Sequence, residues 1–217
     1  MSSELIDLFI SSFGETLMMV GISGLLGAVF GVPLGIALHL TERKGILPNL
    51  AFNRIAGLLV NAVRSTPFII LLVAVIPFTR FFVGTSIGTA AAIVPLTIAS
   101  APFIARLVET ALREVDHGLV EAAQAFGATP LQIVFKVLVP EALPGLLLAL
   151  TLAVVSLLGY SAMVGAVGGG GLGDLGIRYG YQRFLPEVML AVVLILIVFV
   201  QLVQTLGDVL VRRLSHR

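Results

Sequence analysis

The sequence of 217 residues contains no cysteine. Disulfides, thiolate chemistry and zinc or iron–sulfur sites held by this chain alone are therefore excluded. Charge is scarce as well. Asp, Glu, Lys and Arg make up 12% of the chain, where soluble domains carry about a quarter. The basic residues are scattered and form no run, which argues against a nucleic-acid surface. None precedes Arg43, so the N-terminus lacks the positive segment of a cleaved signal peptide. The only lysines, Lys44 and Lys136, are followed by Gly45 and Val137 without the glycine pattern of a phosphate-binding Walker A loop. No nucleophile, base and orienting-group constellation is recognisable, which points away from an enzyme. His39 has no other His, Asp or Glu at a metal-binding spacing and reads as an interfacial polar residue.

What is abundant is apolar surface: 58% of residues are hydrophobic and mean hydropathy is +1.10. This is the composition of an all-α polytopic membrane protein, read as a single transmembrane domain. Uncharged stretches place spans at about 16–40, 55–79, 84–108, 142–165 and 187–209, with a loop over 110–141 and a glycine-rich loop over 165–184. The second of these must carry Arg64 within it. Before the first span, Glu4, Asp7, Ser11 and Glu15 recur opposite Leu5, Ile6, Phe9 and Phe13, as in a short amphipathic helix at the membrane surface.

Five spans put the termini on opposite sides of the bilayer. One set of connections holds Arg43, Lys44, Arg54, Arg106, Arg113, Lys136, Arg212, Arg213 and Arg217; the other holds only Arg80, Arg178 and Arg183. The positive-inside rule then places the N-terminus outside, the C-terminus inside and the 110–141 loop in the cytoplasm.

Within the spans, Gly27, Gly31 and Gly35 recur at intervals of four and form a ridge for close helix packing, either inside the bundle or across a dimer. Pro33 predicts a kink. Arg64 has two readings: snorkelling to the interface, or a role in a gate or in contact with the 110–141 loop. Pro67, Pro77, Pro95 and Pro102 predict broken helices of the kind that line pathways. Arg106, Glu109 and Arg113 lie on one helix face and read as a solvated, self-paired group. Two G-x-G-x-x-G matches between Gly168 and Gly176 lack any βαβ context, so they read as a flexible outer loop or helix break. Its Asp174, Arg178, Tyr179, Tyr181 and Arg183 are available to contact a partner. The deep positions carry no acid or histidine, so the chain has no evident ion-coupling site; for any solute movement the simplest energy source is another polypeptide.

Residues 121–140, EAAQAFGATPLQIVFKVLVP, form an amphipathic island. Asp116 is a candidate N-cap for a helix running to about Phe126, and Gly127 is the residue to end it in the left-handed conformation. Thr129, Pro130 and Gln132 then form a Thr-x-x-Gln capping box with proline at N1. The series Glu121-Ala122-Ala123, three residues, Gly127, nine residues, Val137, one residue, Val139-Pro140 resembles the EAA loop of ATP-binding-cassette importer permeases, with valine where that pattern usually has Ile and Leu. Further segments resemble the methionine importer permeases. They include Arg64-Ser65-Thr66-Pro67-Phe68, Ala101-Pro102-Phe103-Ile104-Ala105-Arg106 and Gly159-Tyr160-Ser161-Ala162-Met163.

The resemblance implies a type I importer permease fold in the bacterial inner membrane, as a homodimer with two cytoplasmic ATPase subunits and an external binding lipoprotein. Mg-ATP would sit on the ATPase, with no cofactor on this chain, and the cargo would be methionine; another small solute, such as a polar amino acid or a betaine, is the alternative. It also implies that Glu121, Ala122, Ala123, Phe126, Gly127 and Pro140 couple to the ATPase. Arg64, Pro67, Tyr160, Ser161 and Met163 are candidates for the pathway or gate.

Overall fold

The structure, a computed structural model, describes residues 3–214; Arg217, counted above for topology, lies outside them. Its first helix, α1 (Ser3–Leu40), runs without interruption through Pro33. The separate surface helix expected at the N-terminus is therefore the first turns of α1. No capping residue or glycine pair separates the acidic face from the apolar run, so the hydrogen-bond ladder simply continues.

The second span departs most from expectation. It consists of α2 (Leu50–Ser65), α3 (Phe68–Ala74) and α4 (Ile76–Val83), with a bend of 106° between α2 and α3. Pro67 has no N–H to continue the ladder and disfavours helical geometry in Thr66 before it. Ser65 and Thr66 turn their hydroxyls back to donate to the Ala62 carbonyl, which satisfies an acceptor released at the break.

Then come α5 (Thr89–Arg113), α6 (His117–Ala125), α7 (Pro130–Ile133), a π-helical segment Val134–Leu138, and α8 (Val139–Gly165). The chain ends with α9 (Gly171–Leu175), a second π segment Gly176–Tyr181, and α10 (Pro186–Leu214). Among the described residues, four helical segments are long and apolar enough to cross a membrane alone; the bent α2–α3 pair makes a fifth crossing only if it counts as one span.

The most extensive packing joins α1 to α5, and the glycine ridge makes it possible. A Cβ at Gly31 would lie 2.6 Å from the Ala101 carbonyl oxygen and 2.9 Å from the Ile104 Cβ. Gly27 and Gly35 meet Ser100, Ala105 and Val108 in the same way. The ridge thus serves packing within this chain. Ser100 Oγ donates to the Ser23 carbonyl across the same contact, at 3.2 Å.

The glycine-rich segment is not a flexible loop. Its α9 is wedged against α1, α8 and α10, with Leu172 and Leu175 buried. The first amides of α9 have no helical acceptor, and α1 supplies one for each of two. Glu15 Oε2 accepts from the Gly171 N–H at 2.6 Å, and Thr16 Oγ1 accepts from the Leu172 N–H at 2.9 Å. Gly168 and Gly170, at φ 86° and 83°, turn the chain into this position. The polar residues expected to face a partner are largely used internally: Arg178 pairs with Asp174, and the Arg183 guanidinium lies 4.3 Å from the Tyr179 ring centroid. Tyr181 remains exposed.

Replacing Gly31 by leucine should push α1 off α5 and lower the midpoint of thermal unfolding in detergent, whereas leucine at Gly21, where a Cβ meets nothing within 4 Å, should leave it nearly unchanged. Overpacking of this kind costs about 1–3 kcal/mol. A thermal scan of both variants measures the difference.

Candidate functional site

The 110–141 region folds as the sequence predicts in its local chemistry. Asp116 caps α6, its side chain accepting from the Gly118 N–H at 2.8 Å. Past the helix end, Gly127 sits at φ 78°. Its N–H donates to the Gln124 carbonyl at 2.9 Å, while the Ala128 N–H donates to the Ala123 carbonyl at 3.0 Å. These two bonds form a Schellman motif. Thr129 and Gln132 complete the reciprocal capping box of α7, with Pro130 at its start. Next comes the π segment, where the Val139 N–H reaches back to the Val134 carbonyl. Pro140 explains the widened turn, because it has no N–H for the Lys136 carbonyl and its ring crowds that oxygen.

One face of this loop is part of the transmembrane core. Val115, Ile133, Val134 and Leu138 are buried in one cluster with Ile104, Val108 and Leu112 of α5 and Ala142 and Leu146 of α8. Val120, Ala123 and Ala128 pack against that cluster. Ala123, expected on a docking surface with Ala122 and Phe126, therefore faces inward. Ala122, Glu121, Gly127 and Pro140 are exposed.

The outward face is richer in large apolar groups than the EAA pattern alone indicates. Phe126 is 93% exposed, Leu131 70% and Phe135 65%, and Leu119 is also exposed. Leu119 and Ala122 of α6 and Phe126 at its C-cap lie one and two turns apart, and Leu131 and Phe135 are four residues apart. That spacing was the available signal for them. Single exposed apolar side chains are ordinary, but a cluster on a short amphipathic hairpin marks an interaction site.

Behind the loop lies a charge cluster. Glu109 is 2% exposed, so the expectation of a solvated group fails for its central member. Its carboxylate is shared by Arg106 at 2.7 Å and Arg113 at 2.6 Å. Arg113 continues to Glu42 at 2.6 Å, and Arg106 donates to the Asn61 side chain of α2 at 2.7 Å. Two guanidinium groups on one buried carboxylate satisfy it, as burial requires. The cluster ties α5 both to α2 and to the α1–α2 connection. His39 is half-buried nearby, and its Nδ1 has no partner among the described residues.

The five pathway candidates do not form one site. Arg64 is exposed in the last turn of α2 and forms no ion pair among the described residues, and Pro67 is exposed at the break that follows. Tyr160 stacks on Phe68, next to that break, with ring centroids 4.5 Å apart and planes at 13°. Ser161 is buried and donates to the Leu158 carbonyl at 2.8 Å, so its hydroxyl is not presented to a solute. Met163 is exposed.

The family model for the binding-protein-dependent transport system inner membrane component matches residues 31–216. The chain belongs to this family. As such an inner membrane component it is 56% identical over 211 residues to the probable D-methionine transport system permease protein MetI of Vibrio cholerae, covering 97% of this chain and 94% of that one. It is 54% identical over 165 residues, 76% of each chain, to the D-methionine transport system permease protein MetI of Escherichia coli K12. Among solved structures, a chain of the MetNI methionine ABC transporter, crystallised in an inward-facing conformation, superposes with a TM-score of 0.98 at 52% identity over all of both chains. A chain of an amino acid ABC transporter with histidines shares the fold at a TM-score of 0.81 and 22% identity, covering 97% and 95% of the two chains.

A Cβ at Gly127 would meet nothing within 4 Å, so the constraint there is backbone conformation alone. Gly127→Asn should therefore be tolerated, Gly127→Ala should cost about 1–2 kcal/mol and Gly127→Val more. Limited proteolysis across 120–135 is expected to accelerate from the asparagine variant through the alanine to the valine.

Proposed function

We propose that this permease is the membrane-spanning subunit of an ATP-binding-cassette importer for methionine, with both the L- and D-forms as cargo. The observation that carries the reading is the end-to-end superposition, at 52% identity, on a chain of the MetNI methionine transporter. Two copies of the chain form the pathway in the bacterial cytoplasmic membrane, two separate ATPase subunits bind and hydrolyse Mg-ATP on the cytoplasmic side, and an external lipoprotein delivers the amino acid. The distribution of basic residues supports an external N-terminus and a cytoplasmic 110–141 loop.

The division of labour follows from the chain's own chemistry. Having no phosphate-binding loop, it receives energy mechanically. The exposed face formed by Leu119, Ala122, Phe126, Leu131 and Phe135 suits helix-in-groove docking into an ATPase cleft. Glu121, exposed on the same helix, is placed to accept hydrogen bonds from that partner. The inward face is continuous with the packing of α5 and α8, so a displacement of the loop is carried into those spans without slack. ATP-driven approach of the two ATPases then rocks the permease halves between outward-open and inward-open states.

The complex of permease, ATPase and binding protein, reconstituted in liposomes, tests this directly. Methionine-loaded binding protein should stimulate ATP hydrolysis and methionine uptake. Stimulation instead by a polar amino acid or a betaine, with methionine inert, would overturn the cargo assignment. In the same assay Phe126→Ala, removing an anchor worth about 2 kcal/mol at an interface centre, and Glu121→Lys should each lower stimulated hydrolysis while the permease dimer stays intact. Unchanged stimulation in both would remove the coupling role of the loop.

A further inference from the structure

A cleft of about 570 Å³ opens between α2 and α5 at the end of the bundle that carries the 110–141 loop. Its walls hold Arg54, Arg106, Arg113 and Glu109, together with Asn61 and Ser65. Three guanidinium groups face one carboxylate, so the lining carries an excess of positive charge. Glu109 is committed to Arg106 and Arg113, and Glu42, outside the lining, takes a further share of Arg113. Arg54 is exposed and has no ion pair among the described residues. A mobile anion entering the cleft would therefore meet Arg54 free and Arg106 at its edge.

The helix that supplies this wall, α2, is amphipathic. Asn53, Arg54, Gly57, Asn61 and Ser65 recur at helical spacing along α2 and turn one polar face into the cleft. Hydrocarbon would make such a face costly. Gly57 leaves the middle of the wall open, since a Cβ there would meet nothing within 4 Å, and the exposed Leu58 adds apolar surface beside the charges. Charged groups with an apolar flank suit a small carboxylate that carries an apolar tail.

We infer that the cleft is a transit site for an amino acid on its way out of the permease, with Arg54 and Arg106 holding the α-carboxylate and Leu58 accepting the apolar side chain. This rests on the reading of the chain as an amino-acid permease. Guanidinium groups recognise carboxylates bidentately, and a solvated cleft keeps the affinity low enough for release, as passage requires. The hydrogen bond from Arg106 to Asn61, at 2.7 Å, opens to admit the anion and re-forms behind it.

The absence of cysteine makes a direct test available. Gly57→Cys places a single thiol of this chain in the wall, to be labelled by a methanethiosulfonate in the nucleotide-free complex with its ATPase and followed by the mass of this chain. Millimolar L-methionine should slow labelling by about threefold or more. 3-(Methylthio)propionate, which keeps the carboxylate, should also protect; methioninol, which lacks it, should not. Arg54→Gln should abolish protection and Arg54→Lys should retain part of it. The inference is overturned if methionine gives no protection in a Gly57→Cys complex that still imports it, if methioninol protects equally, or if Arg54→Gln protects as well as the parent. Failure of the parent complex to import methionine would instead overturn the cargo reading beneath it.

Discussion

A single apolar core runs from the transmembrane helices into the loop that projects from them, and the rest of the molecule depends on it. Ile104, Val108 and Leu112 of α5, Ile133, Val134 and Leu138 of the loop, and Ala142 and Leu146 of α8 are buried against one another, with α1 packed along their flank. The close approach of α1 requires the absence of side chains at Gly27, Gly31 and Gly35. A dense core of this kind does not deform gradually; its elements shift together or not at all. The loop's outward face can consequently be loaded with exposed aromatic and aliphatic groups, because its inward face holds it in place.

The bilayer imposes the second constraint, that backbone polar groups inside it find partners within the protein. The chain's irregular features each meet this demand by a specific device. Where α2 ends at Ser65, two hydroxyls cover a released carbonyl. Where α9 begins inside the bundle, Glu15 and Thr16 receive its first amides. The buried Glu109 follows the same logic for charge, with two arginines in place of solvent.

Local chemistry was readable from the sequence, and long-range chemistry was not. The cap at Asp116, the left-handed Gly127, the capping box at Thr129 and the glycine ridge all have signatures within a few residues, and each appears in the structure. The ordering of residues 165–184 could not be read in this way, because it depends on Glu15 and Thr16, more than 150 positions distant. For the same reason glycine richness suggested flexibility where it permits close packing. Glu109 was recognised as paired through its helical spacing, but its burial depends on α2 and the α1–α2 connection. Among the pathway candidates, Tyr160 and Pro67 lie near one another through Phe68, whereas Ser161 turns into the core; a linear motif carries no record of which side of the helix faces inward.

The central claim is that loop and spans move as one body. Its most direct test is a distance within one chain, measured by spin labels on Lys136→Cys in the loop, exposed and outside the docking face, and Leu152→Cys in α8, with the labelled chain diluted among unlabelled copies. The distance should be the same in the nucleotide-free and ATP-bound complex while distances between the two copies change. A shift within the chain of about one helical turn, roughly 5 Å, would contradict the account.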